Sequence, residues 1–550
     1  MRSPDRTLDH RDGIIVAAVA LLISFLQRPG LVSPDTKLDL TADPIGFLTR
    51  AAHIWSPDAP MGQVQNQAYG YFFPHGLFFA IGDLLHLPPW ITQRFWWALL
   101  LIVGFIGMVR VAEALRIGSF ASRIIGASVF VLAPRVMTTL GTISSETLPM
   151  MLAPWVLLPV IRVLDTTRDD GEQRPVWQEA ARSACAIALM GAVNAVATAA
   201  AVLVSVIWWL LATFARDADR RRALVFGAWW LLGMAAACLW WIVPLLILSR
   251  ISPPFLDFIE SANVTTEWTS LTEVLRGTDS WTPFVSPERA VGAVLVSEPA
   301  AVLATGLLAA AGLAGLTMRA MPHRGRFAVL LVVGLLAICL GYPGALGSPV
   351  RDAVIAFLDG PGAALRNIHK FDPLIRLPLA LGIAHLLARV RVPARAPARS
   401  PGAERGFAAA LVVAVAAFGS GSLLWTGGLA PTQSYRALPT YWQQTADWLA
   451  DAQRDSPTPT RALVVPGAPF ADQLWGLTRD EPLQPLAQSP WAVRDAIPLT
   501  PPGAIRAMDS VQRALSSGRG SPGLSAALAE QGVGDLVLRA DLEPSSSRSA

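Results

Sequence analysis

Apolar residues in this chain run in long blocks, and polar residues are confined to the gaps between them. The blocks fall at roughly 13–27, 94–115, 122–140, 148–164, 181–193, 195–215, 223–248, 299–318, 326–343, 373–390 and 406–425. Most approach the ~20 residues that a helix needs to cross a hydrocarbon core of ~30 Å. This pattern predicts an α-helical polytopic membrane protein with about eleven transmembrane helices. The stretch 71–87 is also apolar, but Pro74, His75 and Asp83 interrupt it. It is expected to lie flat at the membrane surface as an interfacial helix.

Past Trp425 the pattern changes. Residues 440–452, with Trp442 and Trp448, read as an amphipathic helix, and 461–466 as a short strand. Residues 505–515 and 524–531 read as helices and 534–540 as another strand. The expected organisation is a transmembrane domain over 1–425 and a small extracytoplasmic α/β domain over 426–550. Residues 391–405, rich in Pro, Ala and Arg, read as a flexible linker.

Composition supports this division. Of the 550 residues, 53% are hydrophobic and 15% charged, and mean hydropathy is +0.45. A soluble chain would carry closer to a quarter charged residues. The net charge of +4 is small, and the arginines gather in a few loops. These are Arg110, Arg116 and Arg123, then 168–182, 216–222, 319–326 and 389–405. The positive-inside rule assigns them to the cytoplasm, and excludes a nucleic-acid footprint. The opposite face then holds 28–93, 141–147, 249–298, 344–372 and everything after about 426. A span at 71–87 would reverse the later loops and put 216–222 outside. No small-residue cleavage site follows the first block, so it reads as a retained helix. Cys185, Cys238 and Cys339 lie in apolar stretches and read as small buried side chains.

The outer loops hold the chemistry. Asp35 and Asp39 follow the first span, four residues apart, with Lys37 between them. A carboxylate there can deprotonate a hydroxyl, or hold a divalent metal, or cap a helix. No cofactor is required by the residues, and whether a metal binds is left open. Asn66 and Gln67 sit beside tyrosines and phenylalanines, a setting that suits a sugar or an interfacial aromatic belt. Glu146 occupies a short polar turn as a cap or a site residue, and Arg135 lies near the outer end of its span. An ionisable group at that depth faces protein or water. Glu260, Glu267 and Trp281 lie in a tryptophan-and-carboxylate loop of a kind that contacts sugars and is also common at any membrane interface. Arg366, His369 and Lys370 make a compact cationic site that can hold a phosphate, or snorkel to lipid headgroups.

Five segments carry a resemblance to a known family. They are SPDTKLDLTADP at 33–44, QNQAYGYFFPHG at 65–76, TISSETLPMMLAPWVLLP at 142–159, RGTDSWTPFVSPERA at 276–290 and LRNIHKFDPLIRLPLA at 365–380. Together they resemble the actinobacterial α-(1→3)-arabinofuranosyltransferases, from about residue 14 to the end. The resemblance implies a GT-C fold in the bacterial plasma membrane, with the active site on the periplasmic face. It implies decaprenylphosphoryl-arabinofuranose as donor and the arabinan of arabinogalactan and lipoarabinomannan as acceptor. Asp35 matches the place of the essential acid after the first span, with Asp39 nearby. The family is thought to invert the anomeric centre, which makes Asp35 the general base of a single displacement. Arg366, His369, Lys370 and Lys37 are the expected donor-phosphate ligands. Glu146, Glu260, Glu267, Trp281, Asn66 and Gln67 are the expected sugar or acceptor contacts. Members of the family are longer, so 426–550 is expected to be an incomplete domain.

Two other functions fit a glycan-facing membrane protein. A glycolipid transporter or flippase needs paired broken helices in two halves. One weak break, at 191–194, is visible and no second half matches it. A non-catalytic glycan-binding scaffold of cell-wall assembly keeps the same loops without the reaction.

Overall fold

The computed structural model describes residues 6–543 apart from 36, 59, 66–67, 165–174, 217, 253–258, 286–289, 291, 390–400, 469–471, 496–498 and 519–520. The chain forms two compact units, each assembled from separate stretches. The first comprises 1–28, 94–239 and 261–430, and the second 29–93, 240–260 and 431–550. The first polar loop therefore belongs to the same unit as the C-terminal segment. The two units differ from the expected domains, since 29–93 and 240–260, expected within the 1–425 domain, fall with the C-terminal segment.

Helices dominate the first unit because the bilayer leaves a backbone no other way to satisfy its polar groups within a single crossing segment. Among the described residues, seven helices are long and apolar enough to span. They are Pro89–Ala114, Phe120–Thr139, Ser144–Leu164, Ala195–Thr213, Arg220–Ile251, Pro299–Thr317 and Ile368–Arg389. The other four expected spans are helices too. His10–Phe25 and Arg324–Cys339 have 16 residues each and Val176–Ala188 has 13. For Pro401–Ser420, side chains are described only from residue 411. Start signals are local: Asp9 and Ser119 each close a capping box at the head of a helix.

The stretch 71–87 is not one helix. It breaks at Phe73, and its regular part, Leu77–Leu84, is eight residues long. At 1.5 Å per residue that is about 12 Å, too short to cross.

Two helices form the interior of the first unit. In Ser144–Leu164 and in Ile368–Arg389, 83% of the most apolar window is buried, against 11% in Arg220–Ile251. The interior helix Pro373–Arg389 packs closely on Pro299–Thr317 through small residues. A Cβ at Gly315 would collide with the Gly382 carbonyl, and one at Gly312 with the Leu379 carbonyl. Such small-residue contacts let backbones approach where lipid supplies no hydrophobic drive. Arg220–Ile251 instead exposes Trp229, Leu231, Leu232 and Leu246, as a lipid-facing helix does. Cys185 is exposed rather than buried for the same reason, since an apolar side chain in a membrane protein loses nothing by facing lipid.

The second unit holds a three-stranded parallel sheet. Arg461–Val465 is central, flanked by Trp491–Val493 and Val533–Leu538. Alternate residues of the central strand face opposite layers. Ala462 and Val464 pack with Trp442, Ala446 and Leu449 of the helix Thr440–Asp455. Leu463 and Val465 pack with Met508, Val511 and Leu528. Burial on both faces is what a parallel sheet requires. Trp448 stays exposed on the outer side of its helix. The 29–93 segment joins this unit through a two-way bridge between Val32 and Tyr435, at 2.7 and 3.0 Å.

Candidate active site

In the first unit, polar side chains converge on Glu146. Pro134 ends one helical run and starts the next, which puts Arg135 at the turn. Glu146 lies in the first turn of Ser144–Leu164, where the positive end of the helix dipole favours an acid. His369 and Lys370 sit on the 3-10 turn Ile368–Phe371, just ahead of Pro373. Asn194 stands at the break before Ala195–Thr213.

Their side chains meet. Arg135 donates to Glu146 Oε2 at 2.5 Å, and Asn194 donates to Oε1 at 3.1 Å. Lys370 Nζ lies 3.3 Å from Oε1, and His369 Nε2 lies 3.7 Å from Oε2. Arg135, Glu146, His369 and Lys370 are largely buried, and Asn194 is half-buried. Arg135, Glu146, Lys370 and Asp372 line one small pocket, with Thr139 and Pro373 in its wall. Arg135 keeps one guanidinium nitrogen, Nη1, with no hydrogen-bond acceptor among the described residues. Glu146 is thus the counter-ion that holds two cations beside a cavity. Arg366 is placed differently, with its Nε 3.3 Å from both the Leu358 carbonyl and Asp359.

In the second unit, Asp35 and Asp39 are both buried. Asp39 opens the short helix Asp39–Ala42 and is held at 2.9 Å by Arg50 and 2.5 Å by Gln484. Burial raises the Asp39 pKa and the Asp480 carboxylate adds to it, while Arg50, Lys37 and Gln484 pull it partly back. Lys37 donates to Asp480 at 2.7 Å, and the Leu38 amide donates to the other oxygen at 3.0 Å. Burial works against the Lys37 ammonium, yet Asp480 lifts its pKa above the usual lysine value. Lys37 is therefore committed to Asp480. Among the described residues no three His, Cys, Asp or Glu side chains gather as a metal-holding group.

Asp480 pins the backbone and side chain between Asp35 and Asp39. Asp480→Ala is expected to loosen that segment and lower kcat for the reaction proposed below by about ten- to a hundredfold, the scale of a small misplacement. KM for that reaction's donor should change little. Steady-state kinetics would separate the two constants.

The remaining expected contacts are dispersed. Trp281 is buried and donates at 2.9 Å to Asn367, so its ring serves as packing against the 363–371 turn. Trp268 stacks on Phe284 with centroids 3.8 Å apart. Glu267 is exposed at the end of the helix Ala262–Thr266, and Glu260 is half-buried in the other unit. Asn66 and Gln67 lie outside the described residues. Sequence reasoning missed Arg50, Gln484 and Asp480, because their partners lie in distant segments. The break at 191–194, visible in the sequence, carries Asn194 to Glu146.

The chain as a whole is similar to known proteins. The family model described as alpha-(1->3)-arabinofuranosyltransferase, N-terminal GT-C domain, matches residues 19–550. The alpha-(1->3)-arabinofuranosyltransferases of Mycobacterium tuberculosis and Mycolicibacterium smegmatis are each 57% identical over 543 residues. Those alignments cover 98% of this chain, but 38% and 37% of the two relatives. A cryo-EM structure of arabinofuranosyltransferase AftD from Mycobacteria matches with a TM-score of 0.83 and 52% identity. That match covers 100% of this chain and 36% of the other. The chain thus spans a little over a third of the length of the relatives it matches.

Proposed function

We propose, from the premise that this chain belongs to the family of N-terminal GT-C domains of alpha-(1->3)-arabinofuranosyltransferases, that it carries the catalytic machinery of a membrane arabinofuranosyltransferase. In this reading it moves arabinofuranose from decaprenylphosphoryl-arabinofuranose to the arabinan of arabinogalactan and lipoarabinomannan. The new linkages are α-(1→3) branches. The protein sits in the bacterial plasma membrane with its reaction on the periplasmic face. The arginine-rich loops on the opposite side support that orientation.

The observation that carries the reading is the buried cavity lined by Arg135, Lys370 and Glu146. Transfer from a polyprenyl phosphate leaves negative charge on the departing phosphate. Fixed cations in a low-dielectric site stabilise that charge more than water does. Arg135 and Lys370 are the phosphate ligands in this account, with His369 beside them and Glu146 holding their geometry before the donor arrives. Arg366 braces the preceding turn through Leu358 and Asp359. Asp35 is the general base that takes the acceptor proton, and the anomeric centre inverts in one displacement. Asp39, tied to Arg50 and Gln484, positions the segment on which Asp35 lies.

Lys370→Met tests the phosphate assignment. A charge-assisted hydrogen bond contributes about 1.5–3 kcal/mol, so donor KM should rise by about 10–100-fold. KM for the arabinan acceptor should be unchanged. An unchanged donor KM would remove Lys370 from the site.

A further inference from the structure

We infer that Asp279, set against Asp372, takes up a proton from solvent when an anionic phosphate enters the Arg135–Lys370 cavity, and returns it when the phosphate leaves. The inference rests on the phosphate reading above and adds a coupling to it.

The geometry is that of two acids with too few donors. The helix Leu271–Arg276 ends at Gly277, whose φ of +82° turns the chain inward. Asp279 follows two residues later and is fully buried. Among the described residues, no other residue donates a hydrogen bond to either of its carboxylate oxygens. Asp372 is also fully buried. Its Oδ1 accepts from Arg376 at 2.8 Å, and its Oδ2 meets no donor among the described residues. Arg376 spends its other nitrogens on the carbonyls of Leu275 and Val274, which fixes the 271–279 turn against this helix.

The charged and titratable groups that act on Asp279 are Asp372 and Arg376 from one helix, Arg135 from another, and the Cys339 thiol from a third. Asp372 in turn lines the cavity with Arg135, Glu146 and Lys370, and His369 borders it through Glu146. The neighbourhood therefore holds the cations Arg135, Lys370 and Arg376 against the acids Glu146, Asp279 and Asp372. Fully ionised, the acids would match the cations and leave no net attraction for an incoming anion. With one proton on Asp279, one positive charge remains uncompensated. Burial, with the Asp372 carboxylate adding to it, pushes the Asp279 carboxyl up to about 7. It is therefore poised where solvent can supply or remove the proton.

A phosphate beside Arg135 and Lys370 adds negative charge next to Asp372. That disfavours the ionised form of Asp279 further. By linkage, the protonated form binds phosphate more tightly. One proton passes from water to an Asp279 carboxylate oxygen on entry and back on exit, and no other bond changes.

The test is calorimetric titration of the full-length membrane protein with farnesyl methyl phosphate, a phosphodiester whose own charge does not change near neutral pH. Measuring at about pH 7, near the raised carboxyl, in two buffers of different ionisation enthalpy gives the protons exchanged per ligand bound. Wild-type protein should take up a measurable fraction of a proton per ligand, as a group that titrates near that pH requires. Asp279→Asn should reduce this to near zero while still binding. Infrared difference spectra of the wild type should show a protonated-carboxyl C=O band growing on binding, which tests the inference even where the variant does not fold. Binding without proton uptake, or unchanged uptake in Asp279→Asn, overturns the coupling alone. Absence of any binding to wild-type protein overturns the phosphate cavity and the coupling together.

Discussion

Asp35→Asn is expected to lower the rate of arabinose transfer by about 10²–10⁴, the usual contribution of a positioned general base. The amide keeps the size and shape of the carboxylate and one acceptor oxygen, so the buried segment should still fold. In the proposed reaction, what it would lose is the ability to accept the acceptor hydroxyl's proton as the new glycosidic bond forms. Asp39→Asn makes the informative contrast. Asp39 already spends its oxygens on Arg50 and Gln484. Its amide would weaken the ion pair with Arg50 and shift the segment, with an expected loss of about tenfold in kcat. Rates measured with labelled donor at matched expression would rank the two. A larger loss in Asp39→Asn than in Asp35→Asn would exchange their roles.

Glu146→Ala is expected to destabilise the membrane unit by about 3–5 kcal/mol, as removal of one partner from a buried ion pair does. Arg135 and Lys370 would be left as two buried cations without their shared counter-ion. Asn194 and His369 would lose their common partner as well. Glu146→Gln keeps an acceptor for Asn194 and should fall between the variant and the wild type. The phosphate reading adds a second expectation. A phosphodiester ligand supplies the missing negative charge, so it should restore part of the melting temperature of Glu146→Ala in detergent. Rescue by a neutral lipid of equal chain length would point to general lipid stabilisation instead. An unchanged melting temperature without ligand would show that Glu146 is not the hub of this cluster.

The spans were legible because a bilayer demands contiguous apolar length, and that is written locally. The α/β strands at 461–466 and 534–540 were legible for a similar reason, since short apolar runs stand between helical stretches. Hydropathy could not rank the helices from inside to outside. The 32-residue helix Arg220–Ile251 has the highest hydropathy of the seven and is the least buried. Ser144–Leu164, with three internal prolines, is among the most buried. Lipid and protein interior reward the same side chains, so only packing tells them apart.

The site was half legible. His369, Lys370 and Glu146 were conspicuous as charges at span ends. Their mutual pairing was not, because 223 residues separate Lys370 from its counter-ion and no local pattern links them. Lys37 was expected at the donor phosphate, yet Asp480, 443 residues away, holds it. Trp281 was expected as a sugar platform, and its buried indole N–H instead serves Asn367. The pair Asp279 and Asp372 carried no signal beyond two ordinary loop acids. Burial without hydrogen-bond donors is a property of the fold, and a single sequence does not display it.

A catalyst differs from a carrier or a scaffold in what becomes of the donor. The most direct test supplies the full-length membrane protein with labelled decaprenylphosphoryl-arabinofuranose and a linear arabinan. Label is expected in new α-(1→3) branch points, with one decaprenyl phosphate released per arabinose transferred. Arabinan that binds but gains no label, with donor left intact, would contradict it.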